Sequence, residues 1–565
     1  MAPRPFLSLP WELRDRIYRF YFPTKQGYHF SPASGKLTAA DGKPIDLALM
    51  YTCSFIAEET KEMPLLCNDI FFKTFYQKDL SLWLGRFDRL VEAQFLHQLQ
   101  LLVQLCPFIT PEMHIRIGDR FPWFSTHLHN ALVFRRGPQR LSRSWGSAWG
   151  MRPLQVAAMP PSNYLYQQIC SNDQAHSAHR AAVEFTLRLL CETSDEQFIE
   201  DVNDMLVDWE YSGGTRLSNF LNRCYKPWRF PISLCDLDEM GRRLGDGKGW
   251  AWINRWETSG PHGLQYRPLY RFSAVSAAIG FLDDLPINKR ASLHNIIIHE
   301  DRVSEGYPDG HAMGLIPFCQ ENRRLRIRHN FSVVKNLLQR ACFYRGCLDD
   351  IQEYKSDPND IALLSFAAMD LYPIVANCLA EAMYLPDAGM PDGSYTLVLD
   401  GEDAEDMCSE IFQQKVLRRE AKWLVISRAL KAAPDSDWAH EMSYEIKDTP
   451  RAHAGALEHL VNKTSFFESN FYPGHLNNVD ALMAHYNRIG MKACVKEHYW
   501  GDEPHAYVLT GLSHTLDLTS MLMENFECRE VMAPERTSER DNSQEAKIAQ
   551  LKAEIGSRLG IDVSF

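Results

Sequence analysis

A short run of isoleucines constrains the fold of this 565-residue chain more than any other feature. In the stretch SLHNIIIHEDR, three successive positions, Ile296 to Ile298, are apolar. A short apolar run between polar residues fits a buried strand. Segments with helical periodicity lie on both sides of it, SAHRAAVEFTLRLLCE before the run and DIALLSFAAMDLYPIVANCLAEAMYL after it. The sequence therefore predicts a mixed fold of helices and buried strands.

These patterns predict a helix-rich α+β fold. Residues 1–75 form an N-terminal module that opens with a helix, and residues 76–345 form a mixed α/β middle domain. Residues 346–535 form a mostly helical C-terminal domain. Residues 536–565 form a tail helix. Its line of apolar residues is narrow and too short for a coiled coil, so a flexible tail stays open.

Individual segments give more local predictions. LVEAQFLHQLQLLVQLC predicts a long helix. EMHIRI alternates between apolar and polar residues and predicts a strand, as do DIFFKTF and SYTLVLDG. The stretch from Arg135 to Pro161 has no clear period and predicts a long loop.

The composition indicates an intracellular globular protein. The formal net charge is −12, and an acidic balance argues against a nucleic-acid partner, which needs a basic stripe. No apolar run reaches the roughly 18 residues of a membrane span, and no signal peptide begins the chain. None of the 14 cysteines forms a CxxC pair, which is typical of free thiols in a reducing compartment. We therefore expect a cytoplasmic or nuclear protein with neither a membrane nor a nucleic-acid partner.

The first helix is amphipathic. Its apolar residues are spaced by four, four and three positions and share one face: Leu9, Leu13, Ile17 and Phe20. Pro10 suits the first turn of a helix, and Pro23 ends it. The polar loop TKQGYHFSPASGKLTAADGKPID follows, and a second helix begins near residue 47. We expect Ile17 and Phe20 to be buried and the Leu9–Pro10 end to be accessible.

Two stretches of this module resemble the F-box-like modules that open many filamentous-fungal proteins. LPWELRDRIY is similar to their LPxELRxxIY pattern, and YTCSFIAEETKEMPLLCNDIFF is similar to RTCRQIxAEALPLLYxxNTF. The resemblance implies that the first helix binds an adaptor of the Skp type. The residues that it assigns to this contact are Leu9, Pro10, Leu13 and Ile17. The adaptor would then join the chain to an SCF-type ubiquitin ligase, while the remaining residues bind an unknown protein substrate.

Three functional hypotheses stay open. The first is a non-enzymatic interaction protein that recognises a substrate for such a ligase. The second is a regulatory or scaffolding fungal protein in which the F-box-like module is only structural. The long loop from Pro23 to Asp46, which F-boxes lack, leaves this alternative open. The third is an enzyme with an unrecognised site near His299.

Residues 295–330 carry the second resemblance to the same fungal proteins. NIIIHEDRVSEGYPDGHAMGLIPFCQENRRLRIRHN is similar to IVLHEDRxSVAxPExHAxGLIPFCxENxxLRIxRR, a pattern without an assigned activity. The segment contains residue types that bind zinc: His299, Glu300, Asp301, His311 and Cys319. Their spacing is not that of a helical HExxH site. We therefore expect a structural strand end that binds no metal and no cofactor.

The sequence contains no recognisable catalytic motif. GRRLGDGKGW, residues 241–250, lacks the spacing of a phosphate-binding loop. The chain has no GxSxG elbow, and no GxGxxG follows a strand. These observations favour a protein without enzyme activity.

Overall fold

The computed structural model describes twelve parts of the chain, and the statements below refer to these residues. The described ranges are 6–136, 174–209, 215–230, 233–244, 253–254, 256–259, 264–342, 365–366, 368–442, 454–500, 507–508 and 518–530. Most of the predicted loop at 135–161 and the whole predicted tail helix at 536–565 lie outside these ranges.

The described strands fall into three sheets. The strands are β1 Tyr28–Ser31, β2 Lys36–Ala39, β3 Ile70–Lys73, β4 Glu257–Ser259, β5 Leu264–Pro268, β6 Asn295–Glu300, β7 Arg326–Ser332, β8 Ser365–Phe366, β9 Tyr395–Asp400, β10 Phe467–Ser469, β11 Tyr507–Val508 and β12 Phe526–Glu530. Strands β8 and β11 form a pair, and strands β12, β5 and β4 form a three-stranded sheet.

The helices make up most of the regular structure. In the first half they are α1 Trp11–Tyr21, α2 Ser54–Thr60, α3 Met63–Leu66, α4 Lys78–Leu105, α5 Pro111–Arg120, α6 Ser125–Arg136, α7 His176–Leu190, α8 Glu196–Met205, α9 Arg216–Asn222, α10 Leu234–Arg243 and α11 Ala274–Asp284. In the second half they are α12 Ile287–Arg290, α13 Ile316–Glu321, α14 Gln339–Cys342, α15 Ala368–Tyr384, α16 Glu405–Ile411, α17 Arg418–Ala432, α18 Asp437–Glu441, α19 Ala454–Asn462, α20 Val479–Ile489, α21 Met491–Trp500 and α22 Leu518–Met523. The prediction of a helix-rich mixture of helix and sheet is confirmed.

A seven-stranded sheet organises the larger part of the molecule. Its strand order is β10-β9-β7-β6-β3-β1-β2, and every pairing except that of β1 with β2 is parallel. From β1 to β10, each successive parallel strand of this sheet joins on the same side of the one before it. Parallel crossovers are right-handed, so connections that step in one direction place their helices on one face of the sheet.

Side-chain burial follows from this topology. One face of the seven-stranded sheet, which we call the covered face, carries Phe72 and packs against α11. The ring centroids of Phe72 and of Phe281 on α11 lie 5.6 Å apart. The other face, which we call the open face, carries residues that stay partly exposed, among them Ile297 and His299. The isoleucine run is therefore a strand as predicted, but only Ile296 and Ile298 are fully buried.

The N-terminal residues supply part of this sheet. Strand β3 confirms the prediction for DIFFKTF, and α1 confirms the first predicted helix. The second helix, α2, begins at Ser54 and not near residue 47, because the backbone of Cys53 is extended and separates it from a short 3-10 turn at Ala48–Tyr51. The predicted polar loop instead contains the β1–β2 hairpin, whose turn includes Gly35 with a φ of 65°. The strands of the sheet come from all three predicted parts of the chain, within residues 1–75, 76–345 and 346–535.

Helix α4, 28 residues long, forms the centre of the helical core beside the sheet. The strand predicted for EMHIRI is wrong, because these residues belong to α5. The Thr110 side chain accepts a hydrogen bond from the Met113 amide, and Pro111 begins the first turn. Met113 and Ile117 are buried four residues apart. The alternating pattern therefore also fits one face of a short capped helix.

The described residues group into two compact units. One unit lies within Met1–Asn254 and Pro268–Asn525, and it contains the seven-stranded sheet. The other lies within Arg255–Arg267 and Phe526–Phe565. In this second unit the Tyr266 and Phe526 rings pack edge to face at 5.4 Å. None of the described helices is long and apolar enough to cross a bilayer.

The described cysteines are all free thiols. Cys106 and Cys378 are buried, whereas Cys53 is exposed. Burial raises the pKa of both the Cys319 and the Cys408 thiol to about 12, so these two are protonated at neutral pH.

Candidate functional site

Helix α1 has a polar core face. Arg14, Tyr18 and Phe22 recur every four residues and are at most 8 % exposed. Tyr18 and Phe22 form a small apolar cluster with Ile56 and Met63. This face lies against α2 and α3, so the second motif stretch of the N-terminal module covers the first.

Beside this core face, α1 carries a line of exposed apolar residues. Leu13, Ile17 and Phe20 are 46 %, 42 % and 89 % exposed, and we call these three residues the exposed stripe. Pro10 is also exposed and Leu9 is half-buried at the start of the same face. The expectation that Ile17 and Phe20 are buried is wrong, while the accessible Leu9–Pro10 end agrees with the sequence prediction.

Glu59 on α2 explains why polar residues take the core face of α1. The Arg14 Nε donates to Glu59 Oε2 at 3.0 Å, and the Tyr18 hydroxyl donates to the same oxygen at 2.8 Å. Burial, followed by the contact with Glu59, raises the pKa of Tyr18 to about 12. The two buried polar groups are thus hydrogen-bonded, as burial of polar groups requires.

Asn68 joins the end of α1 to α3. Its Nδ2 donates to the carbonyl oxygens of Phe22 and Pro64, both at 2.9 Å, and its Oδ1 accepts from the Thr24 amide at 2.7 Å. The side chain is 5 % exposed and belongs to the F-box-like pattern. Asn68 therefore fixes where the chain leaves α1, and with it the direction of the exposed stripe.

Aromatic residues extend the exposed apolar surface beyond α1. Phe55 is 50 % exposed and its ring lies 5.2 Å from the Arg14 guanidinium, so it borders α1. Tyr51, just before α2, is 82 % exposed. Sequence analysis did not include Phe20, Phe55 or Tyr51 among the partner-binding residues. Phe20 was expected to be buried, and the resemblance assigned no contact to Phe55 or Tyr51.

The residues of the suggested zinc site point in different directions. His299 lies on the open face, stacked at 6.2 Å on Phe71, with its Nδ1 3.5 Å from Asn330 Nδ2. Burial, and then the nearby charge of Lys73, lowers the pKa of His299. The next residue, Glu300, lies on the covered face.

Glu300 is held by two donors at the covered face. Its Oε1 accepts from the Val275 amide at 3.1 Å and its Oε2 accepts from the Thr74 hydroxyl at 3.0 Å. Burial raises its pKa to about 7. The Glu300 carboxyl therefore connects the end of β6 to the residue after β3 and to the first turn of α11.

His311 has its own set of partners. Its Nδ1 lies 2.7 Å from the Ser273 hydroxyl oxygen, and its Nε2 lies 2.6 Å from the Gly306 carbonyl oxygen. Burial lowers its pKa to about 4. Within the described ranges, no three His, Cys, Asp or Glu side chains are placed to hold a metal ion.

Comparison with known proteins adds no relative. No family model matches the chain, no curated protein matches it, and no solved structure matches it. The resemblance to fungal F-box-like modules therefore rests on the residues quoted above.

Proposed function

We propose that this chain is a non-enzymatic interaction protein that binds an adaptor of the Skp type through the exposed stripe of α1. In this proposal the residues after position 76 bind a protein substrate, which the adaptor brings to an SCF-type ubiquitin ligase. The observation that carries the proposal is the exposure of Leu13, Ile17 and Phe20 on one side of one helix.

The spacing of the exposed stripe suits a helix that lies in a partner's groove. Positions i, i+4 and i+7 form one line on a helix, and such lines anchor amphipathic helices in apolar grooves. A contiguous apolar patch on a protein surface marks a binding site more often than a single exposed residue does. Phe20, at 89 % exposure, is the most prominent of the three anchors.

Helix α1 is already ordered before any partner binds. Arg14, Tyr18 and Phe22 hold it against α2 and α3. A surface that is ordered in advance loses less conformational entropy on association than a segment that folds on binding. This arrangement favours binding of the intact module as a preformed surface.

One observation favours the structural alternative, in which the module serves only the fold. Strands β1 and β3 of the module are members of the seven-stranded sheet, so residues 28–73 also complete the main core. An adaptor-binding module needs no such role. The two functions are compatible, because the sheet uses the strands and the exposed stripe lies on α1.

The direct test is binding of the full-length chain to a purified Skp-type adaptor, alone and with its cullin. We expect binding of the wild-type chain and its loss in the Leu13→Glu, Phe20→Glu double variant. The matched control is Glu12→Ala with Arg16→Ala, which changes exposed polar residues of the same helix. Equal melting temperatures of the two variants would show that the helix stays folded. A wild-type chain that does not bind the adaptor would refute the proposal and favour the structural alternative.

A further inference from the structure

The loop that follows strand β6 combines deep burial with backbone strain. Every residue from Val303 to Leu315 except Met313 is buried. Gly306 has a φ of 83° and Tyr307 a φ of 62°. Large side chains rarely adopt this left-handed conformation, which persists only where the surroundings hold it. The loop therefore stores strain that its contacts must balance.

Carboxyl groups supply several of these contacts. The Gly306 amide donates to Asp88 Oδ1 at 3.0 Å, and the Tyr307 hydroxyl donates to Glu381 Oε1 at 3.2 Å. Asp309 accepts two hydrogen bonds from Arg340, at 2.9 and 2.6 Å. The loop is thereby tied to α4, α15 and α14 through three buried acids.

Two of the acids in this region are poorly satisfied. Asp88 and Glu305 are 5 % and 2 % exposed. Within the described part of the chain, Oδ2 of Asp88 and Oε2 of Glu305 have no hydrogen-bond partner. An ionised carboxylate oxygen buried without a partner is costly, and protonation lowers that cost because it removes the charge.

The two acids also act on each other. Burial raises the pKa of Asp88 to about 6. Burial, and next the charge of Asp88, raises the pKa of Glu305 well above its usual range. Glu305 directly precedes Gly306, whose amide binds Asp88, so the Glu305 carboxyl belongs to the same loop segment. Both shifts favour a pair that holds a proton over a pair in which both carboxyls are ionised.

Charged groups from the neighbouring elements surround the pair, and the arginines among them moderate this effect. They are Arg89 and Glu92 on α4, Arg180 on α7, Arg271 before α11, and Arg340 on α14. Two of the arginines have other acceptors: Arg340 binds Asp309, and Arg271 donates to Asn525 Oδ1 at 2.7 Å. Around Arg271 lie the further charges of Asp301, Arg302 and Glu524. These cations lower the pKa of the pair, but burial has the larger effect.

We propose that Asp88 and Glu305 form a proton-dependent lock on the loop Ser304–Asp309, which is closed while the pair holds a proton and opens when both carboxyls ionise. In the closed loop Gly306 stays bound to Asp88 and Tyr307 keeps its strained backbone. Ionisation of both groups places two negative charges in a buried site. Opening returns the carboxyls to water and lets Tyr307 relax, so the ties to α4 and α15 loosen together.

The sign of the pH dependence follows from proton binding. The closed loop binds protons more tightly than the open loop, where the carboxyls return to their usual pKa values. Closure is therefore fully favoured at low pH and weakens as the pH rises through the raised pKa values. Each proton that closure retains changes the opening equilibrium by about tenfold per pH unit.

Hydrogen exchange of the full-length chain tests the lock. The protection factors of peptides that cover residues 303–312 are measured between pH 5.5 and 8.5, relative to intrinsic exchange at each pH. We expect wild-type protection to fall at least about tenfold over this range. In Asp88→Asn and in Glu305→Gln, which imitate the protonated acids, the fall shrinks to about threefold or less. The exposed control Glu192→Gln keeps the wild-type profile.

Two results would overturn the proposal. One is wild-type protection that does not change with pH, which needs no variant to be measured. The other is a full wild-type pH profile in Glu305→Gln or in Asp88→Asn, whichever of them folds. Peptides from residues 95–105 of α4 serve as an internal reference, because they report general unfolding in the same samples.

Discussion

The guanidinium of Arg14 donates hydrogen bonds to both carboxylate oxygens of Glu59, 45 residues further along the chain. Arg14 belongs to LPWELRDRIY and Glu59 to YTCSFIAEETKEMPLLCNDIFF, the two stretches that resemble fungal F-box-like modules. The pair turns the polar face of α1 toward α2. The apolar face consequently points to solvent, where a partner can reach it.

The Arg14–Glu59 pair should stabilise the N-terminal module. We expect Arg14→Ala and Glu59→Ala each to lower the melting temperature, and the double variant to lower it by less than the sum. A guanidinium binds a carboxylate with two parallel donors, which lysine does not reproduce, so Arg14→Lys should recover only part of the loss. Thermal unfolding of the wild-type chain, the two alanine variants and their double variant gives the coupling between Arg14 and Glu59. Strictly additive effects would mean that the pair does not hold α1 in place.

Tyr18 and Phe20 should differ sharply in their effect on stability, although they are two residues apart on α1. Tyr18 is 0 % exposed and Phe20 is 89 % exposed. Removing a large buried ring costs about 3–5 kcal/mol, so we expect a loss of this order for Tyr18→Ala. A surface change stays within about 0.5 kcal/mol, which is the expectation for Phe20→Ala. Urea unfolding measures both, and a large loss in Phe20→Ala would show that the ring is covered in solution.

The sequence predicted the position of α1 but not its buried face. Pro10 and Pro23 bracket the helix as expected, because proline restricts the chain in a way that depends little on distant residues. Periodicity then assigned Ile17 and Phe20, at the end of the apolar side, to the core. The actual core side contains Arg14 and Tyr18, and only Glu59, distant in sequence, makes their burial favourable.

The loop after β6 gives a similar lesson for the buried acids. The sequence indicated that His299 and Glu300 lie at a strand end, and the structure places them at the end of β6, on opposite faces of the sheet. Nothing in the local pattern connects Asp88, within a helix, with Glu305 in this loop. That proximity arises from tertiary packing, so a single sequence gives no signal for it.

Gly27 should be intolerant of any side chain. Its φ is 61°, and an added Cβ would lie 2.7 Å from Phe71 Cε2 and would also meet the Asp69 carbonyl oxygen. The Tyr28 amide donates to that same carbonyl at the start of the β1–β3 pairing. We expect Gly27→Ala to cost more than about 1 kcal/mol. Gly35→Ala is the matched control, since its φ is 65° but no atom lies within 4 Å of the added Cβ. Equal losses in both variants would assign the effect to the backbone alone.

Purified protein should carry no stoichiometric zinc. Glu300 and His311 bind the partners described above, and His299 lies on the other face of the sheet. Elemental analysis of the protein, purified without chelator, measures the metal content directly. About one equivalent of zinc that is lost in His299→Ala would contradict this expectation and revive the enzyme hypothesis.

The last prediction concerns the pH dependence of stability and uses Glu300. Burial raises its pKa to about 7 in the folded protein, above the usual value of 4.5. Its contribution to stability is therefore complete below pH 4.5 and is lost as the pH rises through about 7. A shift of this size corresponds to about 3 kcal/mol. Glutamine imitates the protonated acid and does not titrate. Between pH 5 and pH 8 the free energy of unfolding should therefore fall by about 2–3 kcal/mol less in Glu300→Gln than in the wild-type chain.

The comparison between the two proteins isolates Glu300 from other buried acids, because those titrate in both. Urea unfolding at pH 5 and pH 8 measures the free energy of unfolding of both proteins. The control is Glu468→Gln, which changes an exposed carboxyl on the same sheet and should leave the pH dependence of the free energy of unfolding as in the wild-type chain. His329 lies 3.9 Å from Glu300, but burial lowers its pKa to about 3, so it stays neutral across this range. It therefore gives Glu300 no opposite charge that would offset burial. Parallel pH profiles in the wild-type chain and Glu300→Gln would mean that the amide and hydroxyl donors at Val275 and Thr74 stabilise the ionised carboxylate enough to cancel the effect of burial.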